Sequence, residues 1–350
     1  MLVGPDLLEL FVRELELCRV ERGENIVILA EPRSYPEYIA ASFSAARVLG
    51  ANPLCLTLPG GSPATTPTVR TGTGFGLKAL QDNPLALDLL KAADMVIDVT
   101  LEGFIHSPVL GEILGTAQFA EPDKGADGQK KLGARVLYIC EPPEILARSL
   151  PVPEDKERAL AALNVLKTAK KMHVTSDAGT DLEIDLTDHN PGYQCGFADE
   201  PGRWDHWPSC MVLTFPDLER VNGTIVMKPG DVLFPFKEFV KEPIRFTIEQ
   251  GRVAKVEGGV DAAVLNRYMD DAGDPATRLV SHFGWGLSRT ADWTSLGMYN
   301  KESIMGMEAR CLQGNFMWST GPNNFVNRYT PFHLDFPMLD CTITLDGVTV

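Results

Sequence analysis

A chain of 350 residues with 44% hydrophobic and 23% charged side chains has a globular composition and is long enough for two domains. Its 47 acidic and 32 basic side chains give a formal net charge of -15, which argues against nucleic-acid and membrane partners because phosphate surfaces would repel it. The N-terminal pattern is that of an amphipathic helix, not a signal peptide, and the seven cysteines form no CxxC pair, so we expect a cytoplasmic protein with reduced thiols.

Up to about residue 150 the sequence alternates apolar runs with helical patterns. The run NIVILA at 25–30 is typical of a buried strand, and the helical pattern after it ends at Gly50. The runs NPLCLTL, DMVIDVT and RVLYIC are further apolar runs of this kind, with helical patterns between them. Strands that alternate with helices favour a parallel sheet covered on both faces. The sequence therefore predicts an α/β domain with a mostly parallel sheet over residues 1–152.

After a helical pattern at 153–172, short β-like runs dominate the sequence. The runs IRFTI and VAKVE flank Gln250 and Gly251 as in a hairpin, and ITLDGVTV places an Asp-Gly turn between two strands. One further helix is predicted near residues 261–272. We expect an α+β domain with a predominantly antiparallel sheet over residues 153–350.

His333 lies in TPFHLDFPMLD, two residues before Asp335. In an extended strand this spacing puts the imidazole and the carboxylate on the same face, while Leu334 points to the other face. Such a pair can hold one cation from adjacent positions, but His-x-Asp also occurs as an ordinary pair in a core or on a surface. The spacing indicates a candidate metal site and leaves the structural alternative open.

A third ligand has to come from elsewhere, and His282 is the best candidate among the six histidines. Its segment, RLVSHFGWGLSRT, contains glycines that let other backbone approach closely. Two histidines and one carboxylate are typical of non-heme Fe(II) oxygenases, because this set leaves positions for O2 and substrate. The same side chains also bind zinc, so residue types alone do not select the metal.

Four motifs in the second half resemble the leucyl aminopeptidase T fold family. They are PSCMVLTFPDLERVNGTIVM, EPIRFTIEQGRVAKVEGGVDAAVL, SHFGWG and NRYTPFHLDFPMLD. The resemblance implies a fold whose members carry a two-metal hydrolytic site. Here, however, Met211 and His282 stand where that pattern has glutamates, and Arg310 is the nearest equivalent of a missing histidine ligand. A two-metal peptidase is therefore disfavoured.

The altered ligand set, together with GFADEPGRWDHWPS at 196–209, resembles the 2,5-dihydroxypyridine 5,6-dioxygenases of bacterial nicotinic acid and nicotine breakdown. This resemblance implies an Fe(II) enzyme that opens 2,5-dihydroxypyridine with O2 to N-formylmaleamate. Carried over residue by residue, it implies that His282, His333 and Asp335 hold one Fe(II) ion per subunit. It also favours a homo-oligomer whose partners are a small aromatic substrate and O2.

Ring opening needs a proton donor and acceptor, and imidazole serves in both directions near neutral pH. We expect these roles for His206 in RWDHW and for His106 in LEGFIHSP, which follows a strand where open α/β sheets present ligand groups. The alternatives are a supporting role for His206 and a plain exposed loop position for His106.

Four further residues are candidates for contact with the substrate. Trp204 and Arg203 flank the predicted acid/base histidine, and tryptophan can wall an aromatic pocket. Ser319 and Thr320 in WSTGPNN can hydrogen-bond a ring hydroxyl, although this is equally a turn sequence.

Two rival functions stay open at the level of sequence. A metallo-aminopeptidase with a rearranged site would release amino acids from peptides without O2 uptake. A non-catalytic relative would bind a small aromatic molecule or peptide without a metal, which the three candidate ligands disfavour.

Overall fold

The computed structural model describes residues 6–60, 78–115, 132–139, 141–234 and 236–350. The strands are β1 (Asn25–Ala30), β2 (Asn52–Thr57), β3 (Met95–Asp98), β4 (Arg135–Ile139), β5 (Lys171–Ser176), β6 (Asp181–Asp185), β7 (Asn190–Gln194), β8 (Trp204–Trp207), β9 (Met211–Phe215), β10 (Val221–Met227), β11 (Val232–Leu233), β12 (Glu238–Phe239), β13 (Ile244–Glu249), β14 (Arg252–Gly258), β15 (Val280–Gly286), β16 (Phe316–Thr320), β17 (Leu334–Met338), β18 (Cys341–Leu345) and β19 (Val348–Thr349). The helices are α1 (Leu7–Leu17), α2 (Pro36–Val48), α3 (Lys78–Gln81), α4 (Pro84–Ala92), α5 (Val109–Leu114), α6 (Pro143–Arg148), α7 (Pro153–Thr168), α8 (Val260–Asp271) and α9 (Met307–Cys311).

A sheet in the order β2-β1-β3-β4-β8 organises the first of two units. Its strands pair in parallel, as predicted for this half of the chain. β3 and β4 are buried along their whole length because helices and loops cover both faces, which explains their unbroken runs of apolar residues. Val27, Val96 and Val136 lie at the centre of the core on one face.

The second unit contains two antiparallel sheets that pack face to face. One has the order β14-β13-β10-β6-β5-β18-β19 and the other the order β17-β16-β15-β9-β7. Phe246 of β13 contacts Trp318 of β16 and Phe336 of β17, with ring centroids 4.9 and 5.4 Å apart. The predicted hairpins are confirmed as β13–β14 and β18–β19, and the predicted helix as α8. The fold class is thus α/β followed by α+β, as expected.

The two units are not continuous in sequence. The first comprises Met1–Lys156, Gln194–Ser209 and Tyr299–Met307, and the second comprises Glu157–Tyr193, Cys210–Met298 and Glu308–Val350. A division into domains at residue 152 stays a prediction, because β8 lies far beyond that point and yet completes the parallel sheet. Among the helices that the structure describes, none has the length and apolar character needed to cross a membrane.

Candidate metal centre

A β-bulge in β15 sets the direction of His282. Val280 lies opposite Thr320 and Phe283 opposite Trp318, so three steps along β15 match two along β16. An extra residue of this kind bends a strand and re-aims its side chains. The backbone N–H of His282, displaced from the ladder, donates to Ser319 Oγ at 3.0 Å. His282 is thereby held by a side chain at the point where regular pairing stops.

His333 and Asp335 meet His282 at the same place. His333 immediately precedes β17 and Asp335 lies on it, and the three side chains are buried. Asp335 Oδ1 is 3.1 Å from His333 Nε2 and 3.5 Å from His282 Nε2. One ligand atom from each residue lies within 4.8 Å of the other two. Neighbouring positions around an octahedral ion with bonds of ~2.1 Å are about 3 Å apart, so the cluster has suitable dimensions.

The hydrogen bonds around these atoms fit a cation rather than a closed polar network. His333 Nδ1 lies 3.0 Å from the carbonyl oxygen of Thr320, which can only accept, so Nδ1 donates and Nε2 is the ring nitrogen that faces Asp335. Asp335 Oδ1 is buried, and the polar atoms that face it are His333 Nε2 at 3.1 Å and His282 Nε2 at 3.5 Å. Lone pairs that face one another in a buried space repel unless a proton or metal ion lies between them. The residues therefore fit a metal ion.

The electrostatic surroundings of His282 and Asp335 favour the charge states that bind a metal ion. Burial, reinforced by the charges of His333 and Arg310 against the opposing effect of Asp335, lowers the pKa of His282 to about 3, so its imidazole is neutral at pH 7. Burial opposes ionisation of Asp335, but His333 and Arg310 hold the pKa of this carboxyl well below its usual value. The neutral imidazole of His282 and the ionised carboxylate of Asp335 are in the forms that bind divalent cations.

Ser319 and Thr320 lie on opposite faces of β16. Ser319 is paired with Asp335 and shares its face, while its hydroxyl is engaged by the backbone of His282. Thr320 is paired with Leu334 on the core face, where its hydroxyl has no hydrogen-bond partner among the described residues. Ser319 therefore supports the backbone of His282, and the Thr320 side chain lies on the other face of the strand; contact of either hydroxyl with a ring hydroxyl stays a prediction.

His206 and Trp204 belong to the first unit, on β8. The His206 ring lies between Tyr138 and Trp204, with centroids 5.0 and 4.6 Å away. Arg203 donates to the buried carboxylate of Asp205 at 2.6 Å and to Cys195 Sγ at 3.3 Å. This guanidinium therefore holds the start of β8 through Asp205, and contact of Arg203 with a substrate stays a prediction.

Asp205 organises the backbone on both sides of β8. Its carboxylate accepts hydrogen bonds from the backbone N–H groups of Cys195, Gly196 and His206 at 2.9, 3.1 and 2.9 Å. Complete burial raises the pKa of Asp205, while the Arg203 guanidinium and these backbone hydrogen bonds oppose that rise. His206 is thus presented by a strand whose backbone is fixed by a buried carboxyl group.

His106 is also in the first unit, in the segment that follows β3. The expected alternative of an exposed loop histidine does not hold, since only 6% of its surface is accessible. Tyr138 fixes this segment by donating to the Leu101 carbonyl at 2.7 Å, and Gly103, at φ +65°, lies so close to the Tyr138 ring that a Cβ would contact it. Tyr138 thus contacts both the His106 segment and the His206 ring.

Local sequence patterns do not predict which aromatic and cationic residues surround the metal centre. The Phe215 ring packs edge-on against His282 at 5.4 Å, and Phe325 packs against Phe215 at 5.2 Å. Arg310, noticed only as a departure from the aminopeptidase pattern, donates from Nε to Asp335 Oδ2 at 2.7 Å. Alternation along β9 and β15 could have suggested Phe215, but only with the pairing of these strands in hand.

The chain is similar over nearly its whole length to characterised proteins. The NicX family model, described as 2,5-dihydroxypyridine 5,6-dioxygenase, matches residues 6–350. The 2,5-dihydroxypyridine 5,6-dioxygenase of Pseudomonas putida KT2440 is 38% identical over 349 residues, covering 99% of this chain and 95% of that protein.

Solved structures agree with this similarity. The 2,5-dihydroxypyridine dioxygenase structure from Pseudomonas putida KT2440 aligns with a TM-score of 0.89 at 38% identity, covering 98% of this chain and 94% of that one. Wild-type AmpT from Thermus thermophilus aligns with a TM-score of 0.52 at 14% identity, covering 98% of this chain and 96% of that one. The second likeness extends to the fold alone.

Proposed function

The chain belongs to the 2,5-dihydroxypyridine 5,6-dioxygenase family, and on that premise we propose that it is an Fe(II) enzyme that opens 2,5-dihydroxypyridine with O2 to N-formylmaleamate. This reaction would serve the breakdown of nicotinate or nicotine. The observation that supports it most directly is the buried cluster of His282, His333 and Asp335, in which one ligand atom from each residue lies within 4.8 Å of the other two.

We assign one Fe(II) ion per subunit to this cluster. When bound, Fe(II) supplies open coordination positions and a redox change that zinc cannot undergo, which is why iron suits a reaction with O2. His282 contributes a neutral imidazole because its pKa lies far below neutrality. The Thr320 carbonyl accepts from Nδ1 of His333 and thereby orients the ring so that Nε2 faces Asp335.

The proton transfers of ring opening are assigned to His206 and His106. Both are buried histidines in ordered segments of the first unit, and both segments are fixed by Tyr138. Trp204, whose ring packs against His206, is the proposed aromatic contact for the substrate. Arg203 is proposed to act through Asp205, by keeping β8 in place.

The expected location and assembly follow from the sequence and the family. We propose a cytoplasmic homo-oligomer that acts on a small aromatic substrate and O2 and has no nucleic-acid or membrane partner. The net charge of -15 supports the last point, since it disfavours binding to polyanions.

Anaerobic loading with Fe(II), followed by addition of 2,5-dihydroxypyridine and then air, tests the proposal. The expected result is loss of the aromatic absorption band with one O2 consumed per ring opened. Zn(II)-loaded protein serves as the matched control and should leave the substrate intact. Release of amino acids from peptides by the Zn(II) or Co(II) form, without O2 uptake, would replace the proposal with a hydrolase.

A further inference from the structure

Arg310 and Asp335 form a buried ion pair with a specific geometry. Arg310 Nε donates to Asp335 Oδ2 at 2.7 Å, and about 5% of either side chain is exposed. Oδ1 of the same carboxylate faces the Nε2 atoms of His282 and His333. The two oxygens of Asp335 therefore have different partners.

The guanidinium of Arg310 is itself held from two sides. Its central carbon lies 3.7 Å from the centroid of the Phe234 ring, a cation–π contact in a desolvated place. The Phe234 N–H donates to the Asp335 carbonyl at 3.0 Å, so ring, guanidinium and carboxylate form a closed set of contacts. Asn315 donates to the Arg310 carbonyl at 2.9 Å and accepts from the Gly286 N–H at 2.6 Å. Arg310 is thus a fixed group rather than a mobile surface cation.

We propose that Arg310 is a positioning residue that restricts Asp335 to one metal-binding oxygen. A free carboxylate can bind a metal through both oxygens, and such a bond would occupy a fourth position of a six-coordinate ion. Because Oδ2 accepts a charge-assisted hydrogen bond from Arg310, it is a weaker metal ligand than Oδ1, and Oδ1 is the oxygen that binds the ion. Three positions then stay open for substrate and O2. This inference rests on the proposed function, since it presupposes a metal between His282, His333 and Asp335.

Mn(II) reports the number of open positions, because the relaxation rate of solvent protons rises with the number of water molecules bound to the ion. Bound to the wild-type protein without substrate, Mn(II) should carry three waters. Arg310→Met has a side chain of similar length but no donor for Oδ2. In this variant Asp335 should bind through both oxygens, two waters should remain, and the relaxation enhancement per bound ion should fall by about a third.

Arg267→Met is the matched control, because Arg267 pairs with Asp271 on the exposed face of α8 and is 79% exposed. Its relaxation enhancement should equal that of the wild type. Three waters in an Arg310→Met variant that binds one Mn(II) ion would overturn the proposal. If this variant does not fold, the wild-type protein decides alone: three waters support the proposal and two overturn it. Failure of the wild-type protein to bind any divalent ion is a separate result, which would remove the metal centre and the proposed function together.

Discussion

Ser319 lies directly opposite Asp335 in the ladder between β16 and β17, so its hydroxyl and the carboxylate project from the same face. That hydroxyl accepts the displaced N–H of His282. Ser319→Ala should lower the free energy of unfolding by about 1–2 kcal/mol, because a buried N–H loses its partner. Iron affinity should fall about 10- to 100-fold as His282 loosens. Urea unfolding and competition with a chelator measure the two effects, and an unchanged affinity would contradict this role.

Thr320 provides the complementary test, because its side chain lies on the other face of the same strand. Its buried hydroxyl has no hydrogen-bond partner among the described residues, so Thr320→Val removes an uncompensated polar group and keeps the shape. The unfolding free energy should stay the same or rise by up to about 1 kcal/mol, and ring cleavage should be unchanged. A large loss of activity in Thr320→Val, with iron retained, would instead support the substrate contact expected from sequence.

Removal of His282 should abolish iron retention while the fold stays intact. The His282→Ala variant lacks one of the three candidate ligands. The substitution removes no charge from the site, because the imidazole of His282 is neutral at pH 7. We expect iron content after gel filtration to fall at least about 10-fold, with ring cleavage lost and the circular dichroism spectrum unchanged. His173→Ala is a suitable control, because His173 is a partly exposed residue that pairs with Asp181 on the sheet surface. Full iron content in the His282 variant would rule out this ligand assignment.

His206→Gln separates proton transfer from metal binding. If His206 donates or accepts a proton during ring opening, turnover should slow by roughly 100-fold or more. Iron content should not change, because His206 is not in the cluster of candidate ligands. Single-turnover absorbance traces measure the rate, and metal analysis measures the content. Turnover at the wild-type rate would leave His206 with a packing role beside Tyr138 and Trp204.

Glu14 gives a prediction for the pH dependence of stability. Complete burial, assisted by the charge of Asp205, raises the pKa of Glu14 well above its ordinary value, while the Cys18 thiol donates to Oε1 at 3.7 Å. The folded protein therefore keeps a proton that the unfolded chain releases above its ordinary pKa, so stability falls as pH rises through this interval.

The amide of the Glu14→Gln variant does not titrate, so this variant should not lose stability in this way as the pH rises. Its unfolding free energy relative to the wild type should increase between pH 5 and pH 8, by up to about 1.4 kcal/mol per pH unit while the folded group stays protonated. Urea unfolding of both proteins across this range measures the difference. A difference that is independent of pH would mean that Glu14 is already ionised in the folded protein.

Local periodicity was sufficient for part of the fold and of the centre. The His-x-Asp spacing placed His333 and Asp335 on one face because a strand alternates strictly, and the structure has them 3.1 Å apart. Apolar runs and turn residues likewise located β1, α2 and both hairpins. The resemblance to the 2,5-dihydroxypyridine 5,6-dioxygenases, carried by longer motifs, is confirmed by the family match.

Other features depend on which strands pair, and a single sequence does not contain that information. The assignment of β8 to the parallel sheet requires β4 as its neighbour, although more than sixty residues separate them. The separation of Ser319 and Thr320, in contrast, needs only local information, because adjacent residues of a strand cannot share a face. Their segment, WSTGPNN, is equally typical of a turn, so the sequence alone does not show that the alternation of a strand applies to them.

The bulge in β15 makes the centre sensitive to chain length as well as to residue type. Deleting Ser281 would restore regular pairing with β16 and remove the irregular stretch in which the backbone N–H of His282 donates to Ser319 Oγ. Such a protein could keep every candidate ligand in its sequence and still bind no iron. Insertions and deletions in this strand are therefore a route to inactive descendants that a survey of ligand residues would overlook.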